Sequence, residues 1–405
     1  MTHLDDFGKA YLSISLEINK HLEGYVDAYY GPADLKVEIE SGEKKSPHTL
    51  TDDLAHLRDL IPTDNPSRHS YLTAIMRAMD CTIRTLNGEE FDYLDEVYRL
   101  FDISPEPIEE NQFIKAHKEL DSLLPGSDNL AHRLKQWRKQ FEIPNEKLLE
   151  LLELTHNETR KRTQVFVDLM EDEAVEVTLT SDQPWGAYNW YKGNARSLIE
   201  FNTDIPVSAL GLVGLFAHEA YPGHHTELQI KEKRLYHDKS FAEQAVMILH
   251  TPTVAVHEGI AMTAAEIIFP NDSHYNWTAE VLLPAANLPV SSGDELRRIN
   301  GACRKLLFYF GGLAFNVFAN AALKYHSGEL NEEQTIDYYM TYGLATEESA
   351  RKAFDFLAYP MYRAYVQNYT QGYNLIDQAA HGKDKKSLFK RLLTEEMLPS
   401  HLASM

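Results

Sequence analysis

Apolar residues recur at helical spacing through most of the first 170 positions, over 5–22, 50–60, 68–86, 92–101, 106–124, 129–141 and 145–170. Pro47, Pro62, Pro105, Pro125 and Pro144 fall at or near the ends of these runs, where a residue without an N–H breaks a helix at least cost. Between 173 and 203 the texture changes. "EAVEVTLTS" and "ARSLIEFNT" are short, alternating or β-branched stretches, and "PWGAYNWYKGN" between them carries turn residues and aromatics, so a small sheet or hairpin is expected. From 207 the helical period returns over 208–221, 224–236, 240–250, 254–269, 293–326, 331–342 and 347–379, and a last amphipathic helix is expected near 384–396. The pattern predicts a mainly α protein with a minor sheet. A helical region, 1–170, precedes a region, 171–405, that carries the sheet and the later helices, and the two are expected to share one core.

Composition narrows the partners. The chain has 405 residues, 43% hydrophobic and 25% charged, as in ordinary water-exposed globular proteins. Its formal charge of −22 disfavours nucleic acid and anionic lipid, both of which draw on clustered Lys and Arg. The apolar stretch 306–323 contains Asn316, Asn320 and two glycines, so a helix buried in a large core is expected there rather than a membrane span. Cys81 and Cys303 make no disulfide framework, and the first residues lack a basic-then-apolar signal region, which together imply a cytoplasmic protein.

The chemistry concentrates in "HEAYPGHH", 218–225. A zinc-hydrolase helix reads His-Glu-x-x-His, with both histidines on one face and the glutamate beside the bound water as general base. Here Pro222 stands where the second histidine belongs. On an unbroken helix His225 would share the face of His218 but lie about 10 Å further along the axis, too far for one ion. Pro222 and Gly223 mark a bend, and a bend folds a later histidine back towards the first. His224 is the first candidate for second ligand and His225 its competitor, since the phase beyond the bend does not follow from sequence. A solvated turn rich in histidine is the plain alternative. The apolar run "VSALGLVGLFA" leading into His218 and Glu219 argues against it, because buried polar groups need partners. The third ligand is sought in "VHEGIAMTAAE", 256–266. His257 and Glu258 point about 100° apart on a helix, so only one can face the ion, and Glu258 completes a His₂Glu set. Glu266 is expected to support that set or to form a salt bridge.

On these residues the chain resembles a bacterial family, the domain of unknown function 885, whose signature is His-Glu-x-x-Pro-Gly-His-His. The likeness extends through "HEGIAMTAAE", "GELNEEQTIDYYMTYGLATEESARKAFDFLAYP" and "YRAYVQNYTQGYNL", with "GYVDAYYGP" near the start. That family is related to helical zinc peptidases. "HEGIA" is similar to segments of angiotensin-converting enzyme and the Taq-type carboxypeptidases in which the glutamate is the third zinc ligand, which implies that role for Glu258. Position 262 is Met, where the converting enzyme has an aspartate behind the zinc. The resemblance implies a large helical zincin-like architecture and a zinc peptidase of carboxypeptidase or oligopeptidase type.

The expected site is therefore one zinc ion held by His218, His224 and Glu258, with Glu219 as general base and a peptide or small amide as substrate. Tyr362, Tyr365, Tyr369 and Tyr373 are spaced to share one face of a 359–373 helix. Tyr369 is the first candidate for oxyanion donor and Tyr365 the second, although such a stripe also describes an aromatic core. Arg363 is a candidate anchor for a substrate carboxylate. The segment 197–202 is expected to offer a strand edge to an extended peptide, with Asn202 at its end and Trp185, Tyr188, Trp190 and Tyr191 lining a cleft. Two other readings remain: a zinc amidase or esterase, and an inactive helical protein that binds peptides.

Overall fold

The computed structural model describes residues 4–183, 185–306, 308–309 and 313–405. It is mainly helical, 63% helix against 7% strand, so helices build the core and the strands only line parts of it. In the front half, α1 (Asp6–Asn19) is followed by strand β1 (Val26–Tyr29), then α2 (Ala33–Ser41), α3 (Pro47–Asp59), α4 (Pro66–Leu86), α5 (Tyr93–Phe101), α6 (Glu110–Leu123), α7 (Leu130–Lys139) and α8 (Asn145–Gln164). Side chains of Asp5, Ser46, Asn65, Asp92 and Asn129 cap the first turns of α1, α3, α4, α5 and α7, each stabilising its helix by about 1 kcal/mol.

Three strands follow: β2 (Ala174–Thr180), β3 (Ala187–Tyr191) and β4 (Arg196–Asn202). Their order is β2-β4-β3, with β2 parallel to β4 and β3 antiparallel to it. Then come α9 (Ala209–Glu219), α10 (His224–Lys231), a π-helical turn Glu232–His237, a 3₁₀ turn Ala242–Ala245, β5 (Val246–Ile248) and α11 (Pro252–Ile268). Short helices α12 (His274–Trp277) and α13 (Leu283–Ala285) lead to α14 (Gly293–Arg304), the ladder β6 (Phe308–Tyr309) with β7 (Leu313–Ala314), and α15 (Phe315–His326). The chain closes with α16 (Glu332–Gly343), α17 (Glu347–Ala358), α18 (Gln367–Ala379), α19 (Lys385–Thr394) and α20 (Pro399–Ala403).

One apolar cluster runs from Phe7 to Leu402. α11 lies at its centre, buried nearly all round, as its continuous apolar sequence requires. It crosses α18 at backbone contact: a Cβ on Gly372 would sit 2.1 Å from the Ala255 carbonyl oxygen, and one on Gly259 would sit 2.5 Å from that of Gly372. No helix among the described residues is long and apolar enough to cross a membrane.

Three expected helices are divided or replaced. The run 240–250 becomes a 3₁₀ turn and β5, because its Val-Met-Ile stretch pairs with β1. The run 293–326 is α14 and α15 with β6 and β7 between them; residues 307 and 310–312 of the expected buried helix lie outside the described residues. The run 347–379 stops at Ala358, since Tyr359 precedes Pro360 and takes extended backbone (φ −72°, ψ 128°). Tyr362 and Tyr365 therefore lie on a turn, and only Tyr369 and Tyr373 lie on α18.

Candidate metal centre

α9 delivers His218 and Glu219 in its last turn, and the chain then folds back onto that turn. Ala220 leaves helical geometry (φ −117°, ψ −86°) and the Tyr221–Pro222 peptide is cis. The Gly223 amide donates to the Ala217 carbonyl at 2.9 Å, and the Thr226 amide and hydroxyl donate to the Ala220 carbonyl at 3.1 and 3.0 Å. Gly223 stands so close to α9 that a Cβ there would lie 1.9 Å from the His218 carbonyl oxygen, an approach only glycine permits. The fold-back brings the His218 and His224 rings edge to face, centroids 4.7 Å apart. Glu258, on α11, completes the group, and the three candidate donor atoms lie within 4.8 Å of one another.

The donor chemistry fits a divalent cation. Burial holds the His218 imidazolium pKa well below its usual value and brings His224 down to about 4, so both rings present neutral lone pairs. Burial also raises the Glu258 carboxyl to about 7, against a hydrogen bond from Tyr365 to Oε1 at 2.6 Å. Its Oε2 stands 3.6 Å from His218 Nε2, beyond hydrogen-bond length. Converging lone pairs on buried groups are what a metal site presents. Glu219 is pushed up to about 8, first by burial and then by the charges of Glu258 and Asp27.

Two buried polar groups set the orientation around this centre. His225 is committed on both ring nitrogens, Nδ1 at 2.8 Å from Ser197 Oγ and Nε2 at 3.0 Å from Glu173 Oε2. Glu173 also accepts from Tyr221 at 2.5 Å and from Arg160 at 2.6 Å. Burial works to raise Glu173, but the hydrogen bonds from His225, Tyr221 and Arg160 outweigh it and hold the carboxyl at about 2. Of the two histidines left open by the sequence, His224 is the one grouped with His218 and Glu258. His257 turns away from Glu258, as consecutive helical residues must, and its Nδ1 lies 2.7 Å from Glu227, which also pairs with Lys231 at 2.6 Å.

The remaining candidates divide. Tyr365 holds Glu258 through the hydrogen bond above. Tyr369 packs on Phe315 (4.5 Å between centroids) and lies close enough to Glu258 and Glu219 for burial and both charges to raise its hydroxyl. Arg363 is paired with Glu96 at 2.9 Å and lies over the Tyr93 ring, so the expected carboxylate anchor has a partner within the chain. Asn202 is also engaged: its amide donates to the carbonyls of Gln183 and Trp185 at 2.8 and 3.0 Å, and its oxygen accepts from the Asp204 amide at 3.0 Å. Both amide hydrogens are used in closing the β2–β3 turn, which leaves none for a substrate. Glu266 serves a salt-bridge network with Arg304 and Lys385.

The expected strand edge moves as well. β4 is flanked on both sides and has no edge to offer. β3 has one: Asn202 N donates to Gly186 O and Lys192 N to Arg196 O, so by alternation the backbone groups of Ala187, Asn189 and Tyr191 face away from β4. The Asn189 side chain donates to the Glu219 carbonyl at 2.6 Å, which fixes this edge against the end of α9.

Asp27 escaped the sequence reading. It is the extra residue of a bulge in β1, where Val26 pairs with Ile248 and Ala28 with Met247, and it accepts a hydrogen bond from Tyr188 on β3. The one local signal was an acid inside the short β-prone stretch "VDAYY" that ends at Gly31-Pro32.

No family model matches the chain, and neither does any curated protein. Solved structures do match. A "putative lipoprotein" from Colwellia psychrerythraea aligns over 97% of this chain and 69% of its own, with 15% identity and a TM-score of 0.53. A "putative lipoprotein of unknown function" from Shewanella oneidensis aligns over 98% of this chain and 72% of its own, with 12% identity and a TM-score of 0.53. At such identities the likeness is one of fold.

Proposed function

We propose that the protein is a zinc-dependent hydrolase acting on peptide bonds, related to the domain of unknown function 885 family and to the helical, zincin-like peptidases. The observation that carries this reading is the convergence of His218, His224 and Glu258 donor atoms within 4.8 Å beside the buried Glu219. His218, His224 and Glu258 would hold the ion, and zinc bound there supplies Lewis acidity to a water molecule and to the scissile carbonyl. Glu219, buried beside the donor group, takes the proton of the attacking water and returns it to the leaving amine. Tyr365 keeps Glu258 in its orientation, and Tyr369 donates to the oxygen on which negative charge develops. The free edge of β3 supplies backbone groups for an extended chain beside Glu219.

Elemental analysis joined to turnover tests the reading. The expected result is about one zinc per chain, lost in His218→Ala, with peptide hydrolysis that Glu219→Gln abolishes while keeping the metal. A protein without zinc under any loading condition is instead a peptide-binding module. Turnover of esters or simple amides with no cleavage of peptides identifies the amidase or esterase alternative.

A further inference from the structure

Asn189 sits where β3 meets the end of α9. Its Nδ2 donates to the Glu219 carbonyl at 2.6 Å, and this bond decides which way the side-chain amide is turned. Two carbonyl oxygens repel each other, so Nδ2 faces Glu219 and Oδ1 is the other arm. That Oδ1 is enclosed, and no group among the described residues donates to it. A buried acceptor in this state is a cost to the fold unless a donor is brought to it from outside the chain. Gln367 and Asn368 also carry amide atoms without hydrogen bonds, but both are wholly buried on α18. Asn189 differs from them: it is half-buried on an edge strand, and its backbone N–H and C=O face away from β4.

The chemistry of the oxygen limits what can meet it. An amide oxygen has lone pairs and no proton, so it takes an N–H or O–H and turns away a carboxylate or an oxyanion. An extended peptide laid on β3 pairs with alternate backbone groups of the strand, and its reacting bond must then leave the sheet towards Glu219. At that departure a substrate N–H loses its place in the ladder. The side chain that projects from β3 to the end of α9 there is Asn189. An ester oxygen in the same position brings no proton and leaves Oδ1 unpaired, and a site built on such a bond discriminates against the analogue that lacks it.

We infer that Asn189 is a specificity-determining residue whose Oδ1 accepts a backbone N–H of the substrate beside Glu219, so that the cleft takes peptides in preference to esters. This rests on the peptidase reading and deepens it, by naming the group that tells an amide from an ester. The bond from Nδ2 to the Glu219 carbonyl is the positioning contact, since it holds Oδ1 in the one orientation that can accept.

Binding calorimetry on the full chain loaded with zinc, in the Glu219→Gln background so that nothing is turned over, tests the assignment. The probes are acetyl-tetra-alanine amide and four analogues, each with one backbone N–H replaced by an ester oxygen. At one of the four positions the replacement is expected to weaken binding about 10-fold through Asn189. Asn189→Leu and Asn189→Asp both lose the donor to the Glu219 carbonyl, but only the aspartate keeps an oxygen that accepts. Asn189→Asp is therefore expected to retain the penalty at that position and Asn189→Leu to erase it. Equal affinity for all five probes, no binding of the parent peptide, a penalty that survives Asn189→Leu, or one lost in both variants overturns the inference. The first two outcomes are read with Asn189 intact, so they do not depend on a variant folding. Absence of peptide hydrolysis by the unsubstituted protein, with the Asn189-dependent penalty present, overturns the peptidase reading alone.

Discussion

The Tyr365 hydroxyl donates to Glu258 Oε1 at 2.6 Å, and this leaves Oε2 as the oxygen that faces His218. A buried carboxylate has few ways to hold its plane, and here the phenol does so from outside the donor group. Tyr365→Phe removes that restraint without touching a candidate ligand. Zinc affinity, measured by competition with a chromophoric chelator, is expected to fall about 10- to 100-fold. An unchanged affinity would show that the hydrogen bond plays no part in arranging Glu258.

His224 and His225 are neighbours with opposite duties, and substitution should separate them. His224→Ala is expected to abolish zinc binding while the apoprotein keeps its thermal midpoint, since among the described residues His224 takes part in no ion pair. His225→Ala takes a partner from the buried Glu173 and an acceptor or donor from Ser197. It is expected to destabilise the fold by on the order of 3 kcal/mol, read by denaturant titration, while zinc still binds.

Gly223 can be tested against a glycine in the same region. A Cβ at 223 would meet the His218 carbonyl oxygen at 1.9 Å, so Gly223→Ala must push α10 away from α9. A loss of about 2–3 kcal/mol or more is expected, together with weakened zinc binding, because His224 moves with α10. Gly211, inside α9, has nothing within 4 Å of a built Cβ. Gly211→Ala is expected to be neutral or to stabilise by up to about 1 kcal/mol.

Away from the centre, Glu396 gives a pH-dependent term. Its carboxyl is raised to about 8 by burial and by the nearby Glu243, which Arg68 pairs at 2.6 Å. The folded protein thus holds this proton more tightly than the unfolded chain, whose glutamate titrates near 4.5. Below 4.5 both states carry the proton and nothing is lost. Between about 4.5 and 8 only the unfolded state releases it, so stability falls with rising pH by at most roughly 1.4 kcal/mol per unit from this group. Glu396→Gln keeps an oxygen to accept from Gln244 and is expected to flatten that slope in denaturant titrations across the interval.

What could be read from the sequence was the part of the site that is local. His218, Glu219 and His224 lie within seven residues, and the Pro-Gly step between them signals a bend whatever the rest of the chain does. For Glu258, helical phase said only that it and His257 cannot both face one ion; the choice between them came from the His₂Glu set and the family resemblance. Asp27 could not be read this way, because its aim is set by a bulge that exists only once β1 has met β5. Asn202 misled for the related reason that β4 is covered on both sides, and strand order is a property of pairing rather than of pattern. The tyrosine stripe was overread where Pro360 halts the helix: period 3.6 extends through a break that a single extended residue imposes.

The pairing of β1 with β5 also sets what can be divided. Residues 171–405 contain His218, Glu219, His224 and Glu258, yet Asp27, which accepts from Tyr188 on β3, belongs to β1. The centre is therefore not a transplantable cassette. A fragment that keeps every candidate donor atom would lose the strand that β5 pairs with, and with it the contact between Asp27 and Tyr188.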